Sequence, residues 1–295
     1  SKLISTSVST RGRSPIISAL GRAMRAVLLQ TKHDDRADMD LTLREDGVVL
    51  NNISIITGRA PSVHGMSANF FLNPETGEAV VMDDPRFIRC PTLLGEFSKK
   101  GKVVAVTAKD KLRKLLGKDM DIVGGSINFS SEKADRCTTE ENGIKDVLDF
   151  VGMPLPDVYS ASLSLFVIEA GIKFLERDRP ELMYLSFSDY VRHKHAPGNP
   201  EADDFMRRID EGFGRLAKLG EVVALTADHG MNAKHTNAGK PDVIYLQSFL
   251  DQHFGKSDHV FGFVSKKSDG LYCFAQGSLA KPDHFLWRIN FFEQR

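Results

Sequence analysis

Apolar residues run without a break over Val222-Val223-Ala224-Leu225, and the run then meets Thr226-Ala227-Asp228-His229-Gly230-Met231. A short continuous apolar stretch predicts a strand buried on both faces of a parallel sheet. Leu182-Met183-Tyr184-Leu185-Ser186-Phe187-Ser188 has the same character and is followed by Asp189 and, four residues later, His193. Val103-Val104-Ala105-Val106-Thr107 is a third buried strand. Between these stretches the period changes. Ala161 to Leu175 reads as a helix, and Asp203 to Leu219 carries Phe205, Ile209, Phe213, Leu216 and Leu219 at helical spacing. A further helix starts after Thr107, where Leu112, Leu115 and Leu116 interleave with Lys109, Lys111, Arg113 and Lys114. Strands alternating with helices predict an α/β fold: a doubly wound, mostly parallel sheet with helices on both faces.

Upstream the pattern is weaker. Asn51 to Gly58 reads equally as a helix or a strand that ends in a turn, because Gly58 and Pro61 break it. Residues 1–47 diverge in composition from the rest. Lys2, Arg11, Arg13, Arg22, Arg25 and Lys32 occur before the first acid, Asp34, among frequent Ser and Thr, which is the profile of a transit peptide. Ile16, Ile17, Leu20, Met24, Val27 and Leu28 form an apolar helical stripe, so an ordinary amphipathic surface helix is the alternative. His33 to Gly47 is charged and aperiodic and reads as loop. The expected organisation is a divergent segment over 1–47 and one α/β domain over 48–295.

Composition narrows the partners. Lys plus Arg and Asp plus Glu both total 39, so bulk charge gives no reason to expect nucleic acid or an anionic membrane. The apolar fraction of 41% supports a sizeable core, and no apolar run is long enough to span a bilayer. Cys90, Cys137 and Cys273 are odd in number and widely spaced, which fits a reducing compartment. A cytoplasmic protein is expected, or an organellar one if the first thirty-odd residues are a transit peptide.

The chemistry gathers where the strands stop. Open α/β sheets bind ligands beyond the carboxyl ends of their strands, and two strands here are each followed by an Asp and a His. Asp189 with His193, and Asp228 with His229, offer carboxylate and imidazole ligands of the kind that suit Zn²⁺ or Mn²⁺. A helical turn after the Leu182 strand would bring Asp189 and His193 to one face. Lys109 and Lys111 follow the Val103 strand. They are either a solvated helix face or an anion clamp.

Four stretches together resemble the phosphonoacetate hydrolases of the alkaline phosphatase superfamily. They are Asn51-Asn52-x-Ser54-Ile55-x-Thr57-Gly58-x-x-Pro61-x-x-His64-Gly65, Thr107-Ala108-Lys109-Asp110-Lys111-Leu112, Ser188-Asp189-Tyr190-x-x-His193-Lys194-His195-Ala196-Pro197-Gly198, and Thr226-Ala227-Asp228-His229-Gly230-Met231-Asn232. The resemblance runs from about Asn51 to about Pro241. It implies two zinc ions, one held by Asp189 and His193 and the other by Asp228 and His229, and cleavage of phosphonoacetate to acetate and phosphate. Lys109 and Lys111 then hold the substrate carboxylate, and Asn69 contacts the phosphonate. His195 adds a contact or serves the structure. A nucleotide pyrophosphatase or phosphodiesterase of the same superfamily is the alternative, as is a non-catalytic anion-binding homologue. The small-molecule partner is a phosphonate or a phosphate ester.

The sequence departs from that family at three places. Val48 occupies the position of the nucleophilic threonine, and valine has no oxygen to attack phosphorus. No strand ending in an Asp ligand is recognisable before Glu45, and a missing first strand would leave a central position of the sheet unfilled or an edge exposed. The expected C-terminal His-Gly-Gly element is missing, although His253, His259 and His284 occur there.

Overall fold

The computed structural model describes residues 6–10, 48–66, 69–72, 79–219 and 222–227, and further along 233, 235–236, 238–242, 248 and 251–252; for 6–10, 48–50, 72 and 79 only the backbone is described. The chain forms two compact units, Ser1–Asn232 and Ala233–Arg295. In the second, the described residues make a turn in which His235 pairs with Pro241 and the Thr236 N–H donates to the Lys240 carbonyl at 2.8 Å.

In the first unit the strands are β1 (Thr6–Thr10), β2 (Phe70–Leu72), β3 (Ala79–Val81), β4 (Val103–Thr107), β5 (Ile127–Ser130), β6 (Leu182–Ser186) and β7 (Val222–Thr226). The helices are α1 (Val48–Thr57), α2 (Pro61–His64), α3 (Leu93–Ser98), α4 (Asp110–Leu116), α5 (Thr139–Asn142), α6 (Val147–Val151), α7 (Ser162–Arg177), α8 (Tyr190–Lys194) and α9 (Pro200–Lys218). The main sheet has the order β5-β4-β6-β1-β7. β4 is parallel to both β5 and β6, with Val106 opposite Phe129 and Leu185. β1 is antiparallel to both β6 and β7, so β4, β5, β6 and β7 all point the same way. β2 and β3 form a separate antiparallel pair.

Successive strand residues point to opposite faces, and both faces are covered. Val104, Val106, Met183 and Leu185 pack on one side with Phe166, Ile172 and Phe174 of α7 and Ile209 and Phe213 of α9. Val103, Ala105, Leu182 and Tyr184 pack on the other with Ile53 and Ile56 of α1 and Leu112, Leu115 and Leu116 of α4. Each Val, Leu, Ile, Phe or Met side chain among them taken out of water stabilises the fold by about 1.5–3 kcal/mol. This double cover is why β4 and β6 read as unbroken apolar runs, and the expected α/β sheet with helices on both faces is the observed one.

Three expectations need correction or resolution. The central position is filled: Thr6-Ser7-Val8-Ser9-Thr10 lies between β6 and β7. The apolar pattern missed it because only Val8 is apolar, whereas ladder pairing needs only extended backbone, which β-branched Thr and Val favour. β1 carries no acid, so it does not restore the missing Asp ligand. Secondly, β7 is not buried on both faces; Val222 is 56% and Leu225 43% exposed. Among the described residues β7 has a strand neighbour on one side only. Thirdly, the ambiguous Asn51–Gly58 stretch is helical. Gly58 follows it with φ +61°, a left-handed conformation that glycine adopts without strain.

Candidate functional site

The carboxyl ends of the parallel strands lie in one row. Thr107 of β4 pairs with Ser186 of β6, Ser186 with Thr6, and Thr6 with Thr226 of β7. Candidate ligands follow each of these ends.

Beyond β4 the backbone is fixed before it turns into α4. The Ala108 N–H donates to the Ser186 carbonyl at 2.8 Å, and Thr107 Oγ1 donates to the Lys109 carbonyl at 2.8 Å. Lys109 is the residue before α4, and its Nζ donates to the Val158 carbonyl at 3.3 Å, 5.2 Å from the centre of the Tyr159 ring. Burial pulls the Lys109 ammonium below the usual lysine range, opposed by the charges of Glu132, Asp189 and Asp157. Two residues on, Lys111 Nζ donates to the Asn69 carbonyl at 3.4 Å and stands 5.6 Å from the Phe70 ring centre. The fold therefore brings Lys111 to Asn69, and Lys109 into the field of Asp189.

Beyond β6 a buried serine shapes the turn. The Ser188 N–H donates to Ser164 Oγ at 2.9 Å, and Ser164 Oγ donates back to the Ser188 carbonyl at 3.2 Å. Asp189 then precedes the short helix α8, whose single turn returns His193 to it, with Nε2 2.8 Å from Asp189 Oδ2. Burial alone would raise the Asp189 pKa. The hydrogen bond and charge of His193, with the buried Arg192, outweigh it and hold the carboxyl below its ordinary value. A carboxylate and an imidazole converging at this distance form a donor pair suited to Zn²⁺. Among the described residues no group of three or more His, Cys, Asp or Glu converges. Asp228 and His229, the other expected pair, lie outside the described residues, as do His253, His259 and His284.

His195 follows α8 and is half-buried; its N–H donates to the Val191 carbonyl at 2.9 Å. It is on the segment that carries His193, and no described contact joins its ring to the other candidates. Val48 is the first residue of α1. The nearest alternative hydroxyls are engaged elsewhere. Thr57 Oγ1 donates to the Ile53 carbonyl at 2.7 Å. Ser54 Oγ is 3.0 Å from His64 Nε2, and His64 Nδ1 accepts the Met66 N–H at 3.1 Å. With Nδ1 accepting, neutral His64 carries its proton on Nε2 and donates it to Ser54, so it is not a base for that hydroxyl. Ser54 is also six residues from Val48, about 9 Å along a helix.

Some participants carry no sequence signal. Glu132 sits in the 3₁₀ segment Ser131–Arg136 after β5, and its Oε2 accepts the Asp110 N–H at 2.8 Å. Tyr159 reaches Lys109 from a loop fifty residues away in sequence. Neither lies in a motif, and only the tertiary fold brings them to the site. A separate polar cavity of about 200 Å³, bordered by Arg113, Lys133, Arg136 and Cys137, includes none of the predicted site residues. Its Cys137 thiol is pushed up to about 12 by burial and is not a nucleophile at neutral pH.

Comparison with known proteins supports the fold and the family resemblance. The crystal structure of phosphonoacetate hydrolase from Sinorhizobium meliloti 1021 in complex with phosphonoacetate matches 71% of this chain and 51% of its own, at 48% identity and a TM-score of 0.64. The same enzyme in complex with phosphonoformate matches 84% of this chain and 61% of its own, at 41% identity and a TM-score of 0.65. The motif resemblance to that hydrolase therefore extends to the fold. An uncharacterised pyrophosphatase/phosphodiesterase of Schizosaccharomyces pombe is 25% identical over 198 residues, which are 61% of this chain and 35% of the yeast protein. The chain thus spans about a third to three fifths of the relatives it matches. The profile of the type I phosphodiesterase / nucleotide pyrophosphatase family covers residues 49–270, well over half of the sequence, and the chain belongs to that family.

Proposed function

We propose that this chain is a phosphonoacetate hydrolase-like protein that binds phosphonoacetate at the carboxyl edge of its sheet. The observation that carries the reading is the juxtaposition of Lys109, after β4, with Asp189 and His193, after the adjacent parallel strand β6. A substrate with a carboxylate at one end and a phosphonate at the other needs cations for the first and a metal site for the second. The expected roles are Lys109 and Lys111 for the carboxylate, Asn69 for the phosphonate, Asp189 and His193 for one zinc ion, and Asp228 and His229 for another. Bound zinc would supply Lewis-acid charge against the negative charge that develops at phosphorus. Hydrolysis adds water across the carbon–phosphorus bond; phosphorus takes the hydroxyl, and the departing acetate carbanion takes the proton. The two lysines offset the charge of that carbanion through its carboxylate.

Val48 supplies no attacking oxygen, so the proposed binding does not depend on it, whereas turnover needs another nucleophile. The test measures zinc content after dialysis together with acetate and phosphate release from phosphonoacetate. Release that depends on zinc and is abolished by Asp189→Ala supports a hydrolase. Saturable binding without release supports the anion-binding homologue, for which the side chain of Val48 is the specific argument. The family profile favours a second enzymatic reading, a nucleotide pyrophosphatase or phosphodiesterase. Hydrolysis of a nucleotide diester that survives Lys109→Ala and Lys111→Ala would favour it.

A further inference from the structure

The short helix that carries Lys111 has no cap of its own. Lys109 stands at the N-cap position without a side-chain hydrogen bond to the first turn, and a lysine ammonium has no acceptor to offer. The acceptor comes from β5's side of the sheet instead. Glu132 Oε2 takes the Asp110 N–H at 2.8 Å, while the Glu132 N–H donates to the Ala108 carbonyl at 3.2 Å. Ser131 Oγ bonds the same Ala108 carbonyl at 3.3 Å and the Leu163 carbonyl at 2.8 Å, which ties the segment to α7. Residues 108 and 110 are thus gripped on both sides of Lys109. Of the carboxylates whose charge acts on the Lys109 ammonium, Glu132 acts most strongly, ahead of Asp189 and Asp157.

We propose that Glu132 is a positioning residue for carboxylate recognition: by capping the first turn of α4 from outside, it sets the direction in which Lys109 and Lys111 present their charges. This rests on the reading of those lysines as the carboxylate-binding pair. Glu132 itself need not touch the ligand. A residue that merely stabilised the fold would affect every ligand alike, whereas a positioning residue affects the ligand end that the lysines read.

The test compares phosphonoacetate with phosphonoacetamide, in which a neutral amide replaces the carboxylate, by calorimetric titration of the zinc-loaded full chain. Wild type prefers phosphonoacetate. Glu132→Ala weakens phosphonoacetate about tenfold, the worth of one misdirected charge-assisted hydrogen bond, and leaves phosphonoacetamide unchanged. Glu132→Gln keeps an acceptor for the Asp110 N–H and stays within about twofold of wild type. Glu132→Asp keeps the charge but falls one methylene short of that N–H; it behaves as Glu132→Ala does and replaces it if the alanine variant does not fold. Equal weakening of both ligands, or Glu132→Gln behaving as Glu132→Ala does, overturns the inference while the reading of the lysines stands. A wild type that does not prefer phosphonoacetate over the amide overturns that reading and this inference together.

Discussion

His64 shows how a single residue here is tuned by its surroundings. It has no exposed surface, and burial holds its pKa down at about 4 instead of the ordinary 6.5. Between those two pH values the unfolded chain binds a proton that the folded chain refuses. The stability contributed by neutral His64 is therefore fully present above pH 6.5 and is lost as pH falls towards 4, by about 3 kcal/mol in all. Urea unfolding at pH 7 and pH 4.5 should show a larger loss in wild type than in His64→Gln; equal losses would mean that the imidazole is not held neutral. Ser164 makes the complementary point at the turn after β6. Ser164→Ala removes the partner of the buried Ser188 N–H and should cost about 1–3 kcal/mol in unfolding free energy. The same change frees the segment that presents Asp189, so zinc affinity should fall as well; a loss of stability with zinc affinity intact would separate the turn from the ligand pair.

At the scale of elements, the close approaches are made by glycine. Gly143 ends α5 with φ +73°, and a Cβ there would run into the Ser126 carbonyl oxygen, which belongs to backbone and cannot swing aside. Gly143→Ala combines that overlap with a left-handed backbone and should destabilise the fold by about 2–3 kcal/mol, read as a lowered midpoint in thermal unfolding. Elements that bury an apolar face or both faces in the core were legible from sequence. β4, β6, α7 and α9 carry their full apolar pattern because each packs against the core, and Asp189 and His193 met as the four-residue spacing required. β1 was illegible because its place in the sheet depends on backbone pairing and not on apolar side chains. The contribution of Glu132 was hidden for a related reason: its hydrogen bond spans 22 residues and follows from β5 lying beside β4, a relation no local pattern encodes.

At the scale of the molecule, the parallel strands deliver chemistry to one edge while the helices on both faces hold the strand ends in register. Lys109 and Asp189 are far apart in sequence, yet they follow neighbouring strands whose last residues, Thr107 and Ser186, are directly paired. The candidate site is thus a property of the sheet, and the proposed anion binding depends on residues other than Val48. The central claim is that Lys109 and Lys111 recognise a carboxylate beside a metal-bound phosphonate. Calorimetric titration of phosphonoacetate onto the zinc-loaded chain and its Lys109→Ala/Lys111→Ala variant tests it most directly. The account predicts saturable binding to the wild type that weakens at least tenfold in the variant, the loss expected for charge-assisted contacts to a carboxylate. Undiminished binding in the variant, or no binding to the wild type, would contradict it.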